Sequence, residues 1–419
     1  MQSIRLPFYL PGLLSALFAF SAPQALAQTQ PLHLDEAVMT ALQIDDPSVV
    51  LHREQAKALD DQSVAQSQLP DPQISVRMQN LPTSFDPDQE AMTQYQTMVR
   101  QSFPAGRTLA LRHDQKQAEA RGANLAASLR QLEIIRDTRL AWLEIFYWTR
   151  ARERILKSRD AVTDLLQSSA ASYGSGSGSS QSVWRTDLEL SLLDDRLIEA
   201  ERKLDMAKAD LARAIGATEA SRPVPPNLPP LKHPEMIDAL EAGLINHPVI
   251  LAADSQIEAQ DHAVDLARQH YKPDWSVEAG YGVRGGNRDD FISAGITLDI
   301  PLFTAKRQDR SLSAARHERQ AARLSREARL LDLKQLLQRS HAAWQRLAER
   351  KALYQKAVII KAEQTAQASA LAYQNGLADF PELIRARLAE LDAQLTLDRL
   401  SIDHLQAQAH LLFFEGRLP

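Results

Sequence analysis

One by one, the residues with the types and spacing for chemistry fall short of a reactive site. Gly174-Ser175-Gly176-Ser177-Gly178 has the glycine density of a phosphate-binding loop. It follows a helix-forming stretch instead of a strand, and it lacks a Lys with a following Ser or Thr. It therefore reads as a turn between helices. His317-Glu318 begins a zinc-protease pattern, but the position four beyond His317 is Ala321, so the second ligand is missing. The 11 histidines are scattered: His404 and His410 are six apart, His262 and His270 eight apart, and neither pair is a tight helical chelate. Asp86, Asp88 and Glu90 fall between two strand-like segments, as a solvated loop or a weak calcium site. No Ser-His-Asp set or cofactor loop can be placed on a strand end. The absence of cysteine removes a Cys nucleophile, a thiolate metal site, a disulfide framework and a lipid-bearing cysteine anchor. The expectation is a protein that is not an enzyme and has no cofactor and no dedicated metal site.

The elements that would have to position any site are mostly long helices. Among 419 residues there are only 15 glycines and 6% aromatics, with Ala, Leu, Gln, Arg, Glu and Asp dominating long stretches. A net charge of -5, with Lys and Arg spread along helices, gives no reason to expect nucleic acid. The segment 1–27 reads as a signal peptide: Arg5, an apolar run from Leu10 to Phe20, then Ala25-Leu26-Ala27. That run is shorter than the ~20 residues a membrane helix needs. No later segment is long and apolar enough either, so a membrane crossing would have to be made of strands.

The chain repeats itself at an offset near 200 residues. Asp46-Pro47-Ser48-Val49-Val50-Leu51 returns as His247-Pro248-Val249-Ile250-Leu251, and Phe103-Pro104 as Ile300-Pro301. Ala141-Trp142 returns as Ala343-Trp344, Tyr173 as Tyr373 and Gly216 as Gly416. The reading is a first repeat over 28–222, a stiff Pro-rich linker over 223–234, and a second repeat over 235–419. Each repeat opens on a helix of about 35 residues (34–69, then 235–270). Strands follow at about 73–80 and 94–104, then at about 275–284 and 290–300. Helical hairpins close each repeat at about 106–216 and 304–416. The hairpins carry narrow heptad seams, such as Leu193, Leu197, Ala200, Leu204, Ala207 and Leu211. Asp398 is the exception in the seam that runs from Leu388 to Leu412.

The strands alternate strictly. Trp275, Val277, Ala279, Tyr281 and Val283 share one face, and Ser276, Glu278, Gly280, Gly282 and Arg284 the other. Apolar outward and polar inward over ~10 residues is the pattern of a membrane barrel wall. Four strands cannot close a barrel and open edges are forbidden in lipid, so several chains must share one. Two copies would supply eight strands and three would supply twelve. Glu278 and Asp299 fall on the inward face and would make the lumen favour cations.

The tandem repeat, the Pro-rich link, Phe103-Pro104, Ile300-Pro301, and Tyr373-x-x-Gly376 followed by Phe380-x-Glu382-Leu383 resemble the TolC-type outer-membrane efflux channels over about 32–416. The overall length is most similar to the heavy-metal cation (CzcC- and CusC-like) branch. The resemblance implies a mainly α chain with a membrane β-barrel part. Its helical hairpins and four strands would build a homotrimer with a twelve-stranded barrel and a twelve-helix periplasmic tunnel. It also implies outer-membrane lipid around the barrel, a periplasmic adaptor and an inner-membrane pump of the resistance-nodulation-division type. Tyr373, Glu382 and Arg385 would then lie near a periplasmic gate, and Tyr173 and the stretch from Ser175 to Arg185 at the first hairpin tip. Ala378 stands where a basic residue can pair with the tyrosine, and Arg385 where an acidic one can sit. Two other readings remain: the same fold exporting organic drugs or secreted proteins, and a periplasmic coiled-coil adaptor or scaffold with a soluble β-domain.

Overall fold

The computed structural model describes residues 30–175 and 179–418. The expected signal peptide, 1–27, lies outside the described residues, as do the central residues 176–178 of the glycine–serine turn. The first repeat opens on α1 (Leu34–Gln43) and α2 (Pro47–Gln66), continues through β1 (Gln73–Gln79) and β2 (Gln94–Phe103), and folds into the hairpin α3 (Thr108–Gly174) and α4 (Ser180–Ile215). A single turn, α5 (Ala217–Ala220), precedes the linker. The second repeat runs α6 (Ile237–Gly243), α7 (Pro248–Gln269), β3 (Asp274–Arg284), β4 (Phe291–Asp299) and α8 (Gln308–Leu353). A π turn over Tyr354–Val358 leads into α9 (Ile359–Gln374), and α10 (Phe380–Phe413) returns.

The opening helix expected in each repeat is broken in two. Pro47 and Pro248 lack the N–H a helix interior needs, and their rings clash with the preceding turn, so each starts a new helix as its first residue. The residue before each proline caps the new helix. Asp46 Oδ1 accepts the Ser48 N–H at 2.8 Å, and His247 Nδ1 accepts the Val249 N–H at 3.4 Å.

The 67 residues of α3 rise about 100 Å at 1.5 Å each. Such a rod has no core of its own, so its stability comes from the stripes it shares with neighbours. Around its middle, Trp142, Leu143 and Phe146 pack with Leu32, Leu34 and Ala37 from the start of the chain, Leu211 and Ile215 from α4, and Ile402 from α10. Trp142 is fully buried, and its indole N–H donates to the Leu32 carbonyl at 2.9 Å. The second repeat has a smaller equivalent built from Leu240, Leu244, Ile250, Leu333, Leu337 and Leu411. The hairpin helices stand in the order α4, α3, α10, then α8 with α9, while α7 bridges α3 and α8. α4 ends at Gly216, whose φ is 86°, and Gly416, at φ 66°, follows three residues after α10.

The four strands form one antiparallel sheet in sequence order. The two repeats meet in its centre, where β2 pairs with β3 from Gln94↔Arg284 to Phe103↔Trp275. β1 and β4 are open edges. No described helix is long and apolar enough to cross a membrane.

Candidate functional site

Register assigns every strand residue to a face. One face carries Ile74, Val76 and Met78; Tyr95, Thr97, Val99, Gln101 and Phe103; Trp275, Val277, Ala279, Tyr281 and Val283; Ile292, Ala294, Ile296 and Leu298. It holds no charged residue and lies open, with Val76 75% and Ile292 83% exposed. Phe103 and Trp275 stack at 4.3 Å near one end of it. A continuous apolar surface across four strands marks a face that meets lipid or another protein.

The opposite face is polar and more covered, with Gln94, Gln96 and Ser276 buried. It bears three arginines (Arg77, Arg100, Arg284) and three carboxylates (Asp274, Glu278, Asp299). The charge of Glu278 is offset: Arg100 donates to it through Nη2 at 2.8 Å and Nε at 3.1 Å. Gly295 makes room for that carboxylate, since a Cβ there would stand 2.9 Å from Glu278 Oε1. Asp274 accepts the Ala105 N–H at 2.6 Å and so ties β3 to the start of α3. Asp299, its cross-strand partner, is exposed at the end of β4 and has no ion pair among the described residues. The two candidate lumen charges thus differ: one is neutralised within the chain, and the other is open.

The second region is the far end of the hairpins. The turn between α9 and α10 is closed by Gly376, at φ 69°, with the Gly376 N–H on the Tyr373 carbonyl at 3.0 Å and the Leu377 N–H on the Ala372 carbonyl at 2.8 Å. Asp379 then caps α10 by accepting the Glu382 N–H at 3.0 Å. Tyr373 meets Phe380 edge to face at 5.5 Å. A groove between the two tips is lined by Ser169, Ser182, Arg185, Tyr373, Asp379 and Phe380. Arg185 and Tyr373 are therefore brought together across hairpins. Glu382 and Arg385 pair with each other along α10 at 3.0 Å, both largely exposed. Tyr173 is half exposed at the end of α3, outside that groove's lining.

Between sheet and tip, polar ties hold α10 to α3. Arg399 grips Glu144 with two hydrogen bonds, at 2.8 and 3.0 Å, and Gln406 and Trp148 donate to the same carboxylate at 2.7 and 3.0 Å. Burial works to raise the Glu144 carboxyl, yet the bonds from Arg399 and Gln406 outweigh it and hold it below the ordinary glutamate range. Asp398 pairs with Arg154, which also reaches Gln394 at 3.0 Å. Asp398 is the polar break in its heptad seam, and that break signals the cation that faces it. Arg100, Arg154 and Glu144 went unnoticed, because their partners lie 178 to 255 residues away.

Residues 239–417 match the family model described as outer membrane efflux protein. No curated protein matches the chain in sequence. Several solved structures share the fold. A membrane protein from Pseudomonas aeruginosa is 15% identical with a TM-score of 0.81, over 98% of this chain and 96% of that one. The outer membrane protein VceC from Vibrio cholerae is 18% identical with a TM-score of 0.77, over 91% and 96%. CusC, whose crystal structures are described in terms of folding and transmembrane channel formation, is 14% identical with a TM-score of 0.78, over 98% and 99%. The chain thus has the architecture of these channels: mostly helical, with tandem hairpins and four strands per chain.

Proposed function

We propose that this chain is one subunit of an outer-membrane efflux channel that conducts its cargo passively, three copies closing a twelve-stranded barrel over a twelve-helix periplasmic tunnel. The observation that carries this reading is the sheet: an uncharged, exposed apolar face, a polar opposite face, and two unpaired edges. In lipid each unpaired backbone group costs several kcal/mol, so β4 of one copy must pair with β1 of the next. The helices repeat the logic. α4 at one end of the row exposes Trp184, Leu188 and Ile198, and α8 with α9 at the other end exposes Leu324, Leu331 and Leu371. These edges meet between copies.

The rest of the reading follows the resemblance. Each of the two repeats is a unit with one strand pair and one hairpin, the Pro-rich run joins them, and 1–27 is removed on export. A periplasmic adaptor grips the hairpin tips, an inner-membrane resistance-nodulation-division pump supplies the energy, and heavy-metal cations are the cargo. Tyr373, Arg185, Glu382 and Arg385 surround the periplasmic entrance, and Asp299 carries the cation preference of the lumen because Glu278 is offset by Arg100.

Reconstitution into planar bilayers tests the channel. Purified protein should run as three chains and conduct ions with cation preference. Asp299→Asn should move the reversal potential toward anion permeation, and Glu278→Gln, which leaves Arg100 uncompensated, should do the same. Monomeric protein without conductance would end the channel reading; unchanged selectivity in both variants would end the lumen assignment alone. For the cargo, loss of the gene should sensitise cells to copper, silver, cobalt or zinc more than to detergents.

A further inference from the structure

Three imidazoles converge on one indole where the linker crosses the second hairpin. His404 of α10 stacks on Trp344 of α8 with ring centroids 5.5 Å apart and planes at 20°. His233 of the linker meets the same ring edge-on at 5.3 Å, and His341, one turn earlier on α8, lies 6.2 Å from it. The Trp344 N–H is buried and has no hydrogen-bond partner among the described residues. At the matching place in the first repeat, Trp142 donates to a backbone carbonyl and stacks on Phe146. The helix caps diverge in the same way. Asp46 is ion-paired with Arg213, whereas His247, 1% exposed, must keep Nδ1 unprotonated to accept the Val249 N–H while Nε2 faces the Phe413 carbonyl at 3.3 Å.

We propose that this histidine-lined joint is an acid-sensitive latch: neutral imidazoles hold the linker and α7 against α8 and α10, and protonation releases them while the first repeat stays docked. The face of Trp344 attracts a cation, but the titratable groups around the joint oppose an imidazolium. From α8 come His341 and Lys351. From the linker come His233 and Lys232, whose ammonium is already bound to Glu415 at 2.7 Å. On α10, one turn past His404, Gln408 donates to the Leu231 and Lys232 carbonyls at 3.2 and 2.9 Å and thereby holds the linker down. Burial first, then Lys351 and His233, keep His404 below the ordinary histidine value, and no carboxylate acts on it. Burial and Arg136 lower His410, against Asp137; burial lowers His247, against the Phe413 carbonyl.

The sign follows from linkage. A histidine with a lowered native pKa favours the docked state fully above its ordinary value of 6.5, and that support is lost as the pH falls toward the lowered value. Asp46 titrates in another window. The hydrogen bond from Arg213 is the largest influence on its carboxyl and holds it far below the ordinary aspartate value, so its cap is intact wherever the histidines titrate.

Hydrogen exchange on the whole purified protein reads the latch, compared between about pH 7.5 and about pH 5.5 after correction for intrinsic exchange. Opening at 235–250 should rise by about tenfold for each pH unit crossed between the ordinary and lowered histidine values, while 34–50 stays unchanged. Combining His247→Asn, which keeps a side-chain oxygen to cap α7, with His404→Gln should remove most of that rise. Should the double variant fail to fold, the imidazole resonances of the wild type decide: His404 should titrate below the ordinary value. Equal opening of both segments, a double variant that responds like the wild type, or a His404 titrating at or above the ordinary value would overturn the proposal.

Discussion

The two hairpins are built to one plan and anchored by different means. In the first, α3 runs unbroken for 67 residues, the root tryptophan is fully buried with its N–H satisfied, and the cap beside it is an ion pair. In the second, the outgoing path is interrupted by a π turn, the equivalent tryptophan has an unmade hydrogen bond among histidines, and the cap is a neutral imidazole. Of the 46 residues of α8, only Ala315, Leu333 and Leu337 are buried. The contrast teaches that repetition of topology does not imply repetition of stability. One arm is packed along its length by its own chain, and the other leaves most of its surface uncovered within the chain.

The comparison can be broken most directly at the two tryptophans. Trp142→Ala removes a fully buried ring and should cost about 3–5 kcal/mol, while Trp344→Ala, partly exposed and with no hydrogen bond to lose, should cost about 2 kcal/mol or less. The temperature at which purified protein unfolds in detergent ranks them, and equal losses would erase the contrast. Next comes the tie between the arms. Arg399→Ala strands the half-buried Glu144 and should cost about 2 kcal/mol, after allowing for its partial exposure. Arg326→Ala, which breaks the more exposed pair with Asp254, should cost less than about 1 kcal/mol. Urea unfolding of the two variants measures the difference. The smallest effects lie at glycines. Gly376→Ala forces an alanine to φ 69° and should cost about 1 kcal/mol, read as faster proteolytic nicking of the second tip. Gly122→Ala should be neutral or slightly stabilising, because its Cβ would meet Ser255 at an ordinary 3.6 Å.

Much of this architecture was legible because its signals are local. Alternation over Trp275 to Val283 and Ile292 to Leu298 assigns a face to each residue with no knowledge of the partner strand. The heptad seams are likewise properties of neighbouring residues. What the sequence hid depends on register or on distant contacts. Arg100 cancels Glu278 only once β2 is aligned with β3, and His233, His341 and His404 are unremarkable until α8, α10 and the linker cross. The break at Pro47 and Pro248 was readable from the prolines themselves, but the apolar spacing on either side ran through it. At the hairpin tips Tyr173 and Arg385 are exposed, so contacts within the chain say little about them.

The open edges of β1 and β4 have a genetic corollary. In the proposed ring of three, a sheet finished by its neighbours cannot be rescued by good copies once a faulty one has joined. Where faulty and sound alleles are expressed equally and mix freely in threes, only about one ring in eight is wholly sound. A substitution that spoils one edge strand without preventing association is therefore expected to behave as dominant, whereas a deletion of the whole gene is recessive.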